Sequence, residues 1–165
     1  IDWNDPVSYV MAFLKDAERH GVDLSFVDTE SIIAEVVDEL SNVTDVRVIG
    51  ASYLSGDKTK VNIKYKKSAW DRNTYFNSNN LRILIIWHEL GHDILQLAHN
   101  DEEDNKIWYD IMKSGFTQIN GGDYRGFKYF QKGVERLFSG EGQIKYDYAS
   151  KGQRVIACDF EIKDY

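Results

Sequence analysis

Cysteine is almost absent from this chain: Cys158 is the only one in 165 residues. An intrachain disulfide is therefore impossible, and so is a zinc site built from a cluster of thiolates. A lone cysteine does not fix the redox compartment. Proline is equally scarce, with Pro6 alone, and no low-complexity tract or internal repeat breaks the sequence, which argues against a linker. No run of about 18 apolar residues exists, so no membrane span is expected. Positive charge is in deficit, 20 Lys and Arg against 27 Asp and Glu for a formal charge of −7. That balance argues against a nucleic-acid partner, since phosphate binding needs a basic face. The one basic run, KYKK at 64–67, falls on an expected strand and reads as a solvated sheet face. The first residue is Ile1, not Met, so the lack of a targeting segment says nothing about compartment, and a secreted or virion-associated location stays open.

What is present is enough for a core. Hydrophobic residues make up 42%, and 8 Phe, 4 Trp and 10 Tyr favour a packed globule of one domain over 1–165. Asp5-Pro6 opens a helix over about 6–20, with Asp as N-cap, an apolar stripe of Val7, Val10, Phe13, Leu14 and Ala17, and Gly21 at the end. His20 sits where a cation suits the helix dipole. Segment 31–40 fits either a helix or a strand, and its β-branched residues favour the strand. Strands are expected at 46–53 and 60–66, joined through a turn at Ser55-Gly56-Asp57. A long helix, capped by Ser78, Asn79 or Asn80, carries the run Leu81, Ile83, Leu84, Ile85, Ile86 and Trp87, apolar nearly all round and hence central and buried. A polar loop follows at 100–105. Another helix is expected at about 122–138, and strands from 143 on with a turn near Gly152.

Histidine is scarce too, yet three of the four fall within twelve residues: His88, His92 and His99. His88-Glu89-Leu90-Gly91-His92 sets two imidazoles just over one helical turn apart, able to grip one ion from one face. Glu89 lies beside that face, as in the HExxH arrangement of zinc hydrolases, where it serves as general base for a water that zinc makes more acidic. His99 is the third candidate ligand. On a continuous helix it would lie about 10 Å along the axis from His92, too far for one ion. The helix must therefore stop soon after His92, although 93–98 contain no glycine; Asn100, or a terminus near Leu95-Gln96, would make the bend. Alternative ligands are Asp101, Glu102, Glu103 and Asp104. Gly91 costs about 1 kcal/mol in a helix interior relative to Ala, so close approach of another segment is expected there. Zn²⁺ suits three neutral imidazoles, and Co²⁺ or Ni²⁺ would be accepted as well.

Asp110-Ile111-Met112-Lys113-Ser114 completes a pattern. HELGH, a later His, and Ile-Met before a small polar residue resemble the metzincin clan of zinc peptidases, and more closely the small HELGH proteins of bacteria and phages with a late third His. Those carry a Trp before the active-site helix, which Trp70 matches. The chain departs from HExxHxxGxxH by Leu95 in place of Gly and by a third His one residue late, with Ala98 at the usual place. The likeness covers about 6–116 and is strongest over 81–114; the C-terminal third, 117–165, is poorly constrained. It implies an α+β zincin-like fold: a twisted mixed sheet packed on a central active-site helix, with an N-terminal and a C-terminal helix. It also implies that an edge strand pairs with a peptide or protein substrate, that Met112 lies beneath the metal, and that Tyr109 can donate to the oxyanion. The expected function is that of a zinc metallopeptidase. The alternative is a catalytically silent zincin-fold assembly protein, such as a phage virion component, with the C-terminal third as an assembly arm.

Overall fold

The structure is a computed structural model, and it describes residues 1–71, 79–101, 107, 109–118, 127–145, 155–158 and 161–164. Helix α1 spans Pro6–Arg19. It starts where expected, with the Val7 N–H donating to the Asp5 side chain and Pro6 in the first turn. Its inner face buries Tyr9, Val10, Phe13 and Ala17.

The ambiguous segment is a strand, β1 (Ile33–Val37). It runs parallel to β3 (Asn62–Lys66), and β2 (Gly50–Tyr53) runs antiparallel to β3. Two of the expected strands are shorter than the sequence suggests, and the cause is side-chain capping. Asp45 accepts the Arg47 N–H and its carbonyl takes the Val48 N–H, curling 45–48 into a turn ahead of β2. Asp57 does the same to Thr59 and Lys60, so β3 begins only at Asn62. Gly56, with φ of 86°, completes the turn expected between the two strands.

β5 (Val155–Cys158) adds antiparallel to the far side of β2, giving a four-stranded mixed sheet in the order β1-β3-β2-β5. A separate parallel pair joins β4 (Gly115–Gln118) to β6 (Glu161–Asp164). The architecture is α+β, with helices α1, α3 (Asn79–Asp93) and α4 (Phe127–Ser139), and a single turn, α2 (Lys67–Trp70). α3 begins at Asn79 and is as buried as its composition implies, with Leu84, Ile85, Ile86, Trp87 and Leu90 all in the core. Residues 122–126 of the expected C-terminal helix, the Ser78 cap and the turn near Gly152 lie outside the described residues. Among those described, no helix is long and apolar enough to cross a membrane.

α1 and α3 face each other through Phe13 and Trp87, whose rings meet edge to face at 5.3 Å. The Trp87 indole N–H reaches the buried Asp16 carboxylate. Trp70 fills the other end of this core, between Tyr9 and Tyr65, and the Arg82 guanidinium lies 4.4 Å above its ring. These contacts seat α3 on the sheet and aim its HELGH turns at β2.

Candidate metal centre

His88 and His92 leave α3 on one face and are both fully buried. Each has its Nδ1 against a backbone carbonyl: His88 at 2.6 Å from the Ile111 oxygen, His92 at 2.7 Å from the Leu97 oxygen. A carbonyl can only accept, so both rings carry their proton on Nδ1 and turn a bare Nε2 lone pair inward. Burial holds both imidazoles neutral, pushing His92 down to about 3 and His88 well below its ordinary value. Yet the two Nε2 atoms lie 3.1 Å apart, with neither able to donate to the other. Converging lone pairs at that distance repel unless a cation lies between them. The carbonyl contacts are also the outer-shell bonds that metal-bound histidines make.

His99 reaches the same point by the early helix stop that its spacing required. α3 ends at Asp93, and Gln96 takes the left-handed conformation, φ 57°, doing without a glycine. The Gln96 side-chain amide donates to the Asp93 carbonyl, and the Leu97 N–H returns to the Gly91 carbonyl. Backbone bonds then pin the returning segment on both sides of the histidine, Ala98 N–H to Ile144 O and Asn100 N–H to Met112 O. The His99 Nε2 ends 3.2 Å from that of His88 and 3.1 Å from that of His92. Asp101, by contrast, is exposed and accepts from the Ser114 backbone and hydroxyl; Glu102, Glu103 and Asp104 lie outside the described residues.

The fourth corner holds a residue that the sequence reading had set aside. Cys158, buried on β5, places Sγ 3.5 Å from the Nε2 atoms of His88 and His99 and 3.7 Å from that of His92. A single cysteine cannot form a thiolate cluster, but it can complete a histidine one. Zinc–nitrogen bonds of about 2.0 Å and a zinc–sulfur bond of about 2.3 Å in a tetrahedron give N–N edges of about 3.3 Å and N–S edges of about 3.5–3.6 Å. The four donors stand close to those edges, so the residues present fit a zinc ion. This buried His3Cys group could hold a metal.

No protein-family model matches the chain, and no curated protein or solved structure is significantly similar to it.

Glu89 is fully buried beside the cluster. Its Oε2 accepts from the Ser52 hydroxyl at 2.7 Å, which ties the carboxylate to β2. Oε1 has no hydrogen-bond partner of normal geometry among the described residues. Burial raises its pKa to about 7, although the Ser52 hydroxyl and the Cys158 thiol both favour the carboxylate. A carboxyl balanced near neutrality can both take and give a proton. Its neighbour Asp93 is pushed further, to about 8, again by burial.

Beneath the helix, a Cβ on Gly91 would overlap the Met112 sulfur and lie 3.2 Å from its methyl carbon. The glycine lets this methionine slide under the HELGH turn, the close approach that its helix-interior position foretold. The segment is anchored by Asp110, whose buried carboxylate accepts from the Met112 N–H, the Asn100 amide, the Arg136 guanidinium and the Gln143 amide. One carboxylate thus joins the turn carrying Ile111 and Met112, the segment carrying His99, and α4. Tyr109 is half-buried against the core, with its carbonyl 2.6 Å from where a Gly133 Cβ would be. His20 stays with α1, its Nδ1 on the Asp16 carbonyl at 2.8 Å.

Sequence reasoning missed Cys158 and Ser52. Alternation along Val155–Cys158 does put Ile156 and Cys158 on one buried face. Nothing local, however, marks which face meets a histidine 59 residues away.

Proposed function

We propose that this chain is a zinc-dependent peptidase or related amide hydrolase of the HExxH type, with His88, His92 and His99 as ligands and Glu89 as general base. The observation that carries the reading is the pair of Nδ1-anchored imidazoles whose bare Nε2 atoms meet the His99 ring, with a buried, near-neutral carboxyl one residue from the first. Zinc supplies Lewis acidity when bound, polarising a carbonyl and acidifying water. The chain's own groups do the rest. Glu89, buried beside the cluster, takes the proton of the attacking water and passes it to the leaving amine. The Ser52 hydroxyl holds the other carboxylate oxygen in place. Gly91 and Met112 form the packed floor, and Tyr109 is the candidate donor to the oxyanion. The fold order supports a zincin-like reading: a mixed sheet on the helix that bears the histidines, with an N-terminal and a C-terminal helix around it.

Glu89→Gln tests the mechanism. The amide cannot accept the proton, so hydrolysis of a quenched peptide library should fall at least about 100-fold while zinc stoichiometry is unchanged. Measurable cleavage that is equal in the variant and the parent sinks the assignment.

One observation favours a second reading. A centre with four protein donors is the pattern of structural zinc, whereas hydrolytic zinc keeps one position open. On that reading the chain is a zincin-fold assembly protein, and zinc at one equivalent without cleavage under any condition is its signature.

A further inference from the structure

The centre that can bind a metal is closed, and the residue that closes it sits on the strand that also covers the adjoining sheet edge. We propose that β5 is a displaceable plug: it lies where an extended substrate would pair with β2, Cys158 fills the coordination position that catalysis needs, and the chain as folded is a latent hydrolase. This rests on the hydrolase reading above.

Three features place the plug. β2 is the strand that touches Glu89, through Ser52, and with β5 displaced its outer edge becomes a free sheet edge beside the centre, where an extended peptide can add. β5 occupies that edge antiparallel, pairing Val155 with Tyr53, Ile156 with Ser52 and Cys158 with Gly50, and the Ile49 N–H bonds the Cys158 carbonyl. A strand bound this way presents side chains alternately, which buries Ile156 and Cys158 toward α3 and leaves Ala157 exposed. β-strand addition at a sheet edge is how extended peptides are commonly held. The plug therefore uses the backbone bonds that a substrate would use.

The same geometry explains how it could leave. β5 is an edge strand of four residues, so its departure keeps the β1-β3-β2 ladders whole. The segment just after it, β6, is held separately by β4. Of the four donors, three are fixed by helix α3 or by paired backbone near it, and Cys158 alone comes from this edge strand. On displacement the sulfur takes a proton from solvent, and its corner becomes available to water or a carbonyl.

The experiment uses the full chain loaded with Co²⁺, in which a thiolate ligand gives a sulfur-to-cobalt charge-transfer band in the near ultraviolet. The parent, Cys158→Ser and Cys158→Ala are compared for that band, for metal stoichiometry, and, with zinc, for cleavage of a quenched peptide library. The expected result is a band in the parent only, one metal in all three, and at least a tenfold gain in cleavage in the variants, abolished by adding Glu89→Gln. A parent without the band, or with cleavage equal to that of the variants, overturns the plug and leaves the hydrolase reading standing. Variants that hold one metal without the band and still cleave nothing overturn both, and identify a structural centre. Circular dichroism checks that each variant folds, and the serine form, close to cysteine in size, serves if the alanine form does not.

Discussion

Replacing Gly91 by alanine should be harmful, against the rule for helices. In an open helix interior, Gly→Ala gains about 1 kcal/mol. Here the new methyl would overlap the Met112 sulfur and sit 3.5 Å from Leu137 Cδ1. Met112 is fully buried, and its backbone is held at both ends, N–H to Asp110 and carbonyl to Asn100. The thioether must therefore shift within a filled core, so overpacking toward the upper end of the usual 1–3 kcal/mol is expected. The net is a loss of about 1–2 kcal/mol, read as a lower urea midpoint at constant m-value. Because Ile111 supplies the carbonyl that orients His88, displacement of this turn should also weaken zinc about 10–100-fold in a competition titration. The decisive comparison is in a Met112→Ala background. That change alone costs about 2–5 kcal/mol, but it empties the space under the helix. Gly91→Ala should then turn stabilising, by up to about 1 kcal/mol. If Gly91→Ala stabilises the parent chain, or its sign is the same in both backgrounds, the packing argument is refuted.

Asp110→Ala should cost about 3–5 kcal/mol, since it strands the Arg136 guanidinium, only 19% exposed, and frees the turn under His88; a thermal or urea shift worth less than about 1 kcal/mol would show that the ion pair holds nothing. The raised pKa of Asp93, about 8 in the fold, gives a pH dependence of definite sign. The folded state keeps that proton where the unfolded chain has lost it, so stability is fully present below the ordinary carboxyl pKa and declines as pH rises to about 8. Between pH 6.5 and 8.5 the loss from this group should be about 2 kcal/mol in EDTA. Asp93→Asn should flatten the profile, and an equally steep profile in the variant would assign the effect elsewhere.

The features legible in the sequence are those set by local rules. The cap Asp5-Pro6, the turn at Gly56, the apolar run of α3 and the need for space at Gly91 each follow from neighbours within a few residues. The early end of α3 was also readable, because His99 could not otherwise approach His92. Its means was not: Gln96 takes a left-handed turn with no glycine, stabilised by its own amide and by pairing with 144–145, which is a long-range matter. The shortened β2 and β3 reflect aspartates that capture backbone N–H groups, a competition that hydrophobic alternation does not register. Cys158 and Ser52 stayed hidden because strand pairing, and not spacing, brings them to the histidines.

The four donors differ in their access to water. His88 and His92 are sealed, Cys158 is 2% exposed, and only His99 keeps part of its surface open. A metal held in a cage with so narrow a window would exchange only as fast as the protein opens around it. Loading would therefore be easiest before β5 docks, and a chain folded without metal would be slow to acquire it afterwards.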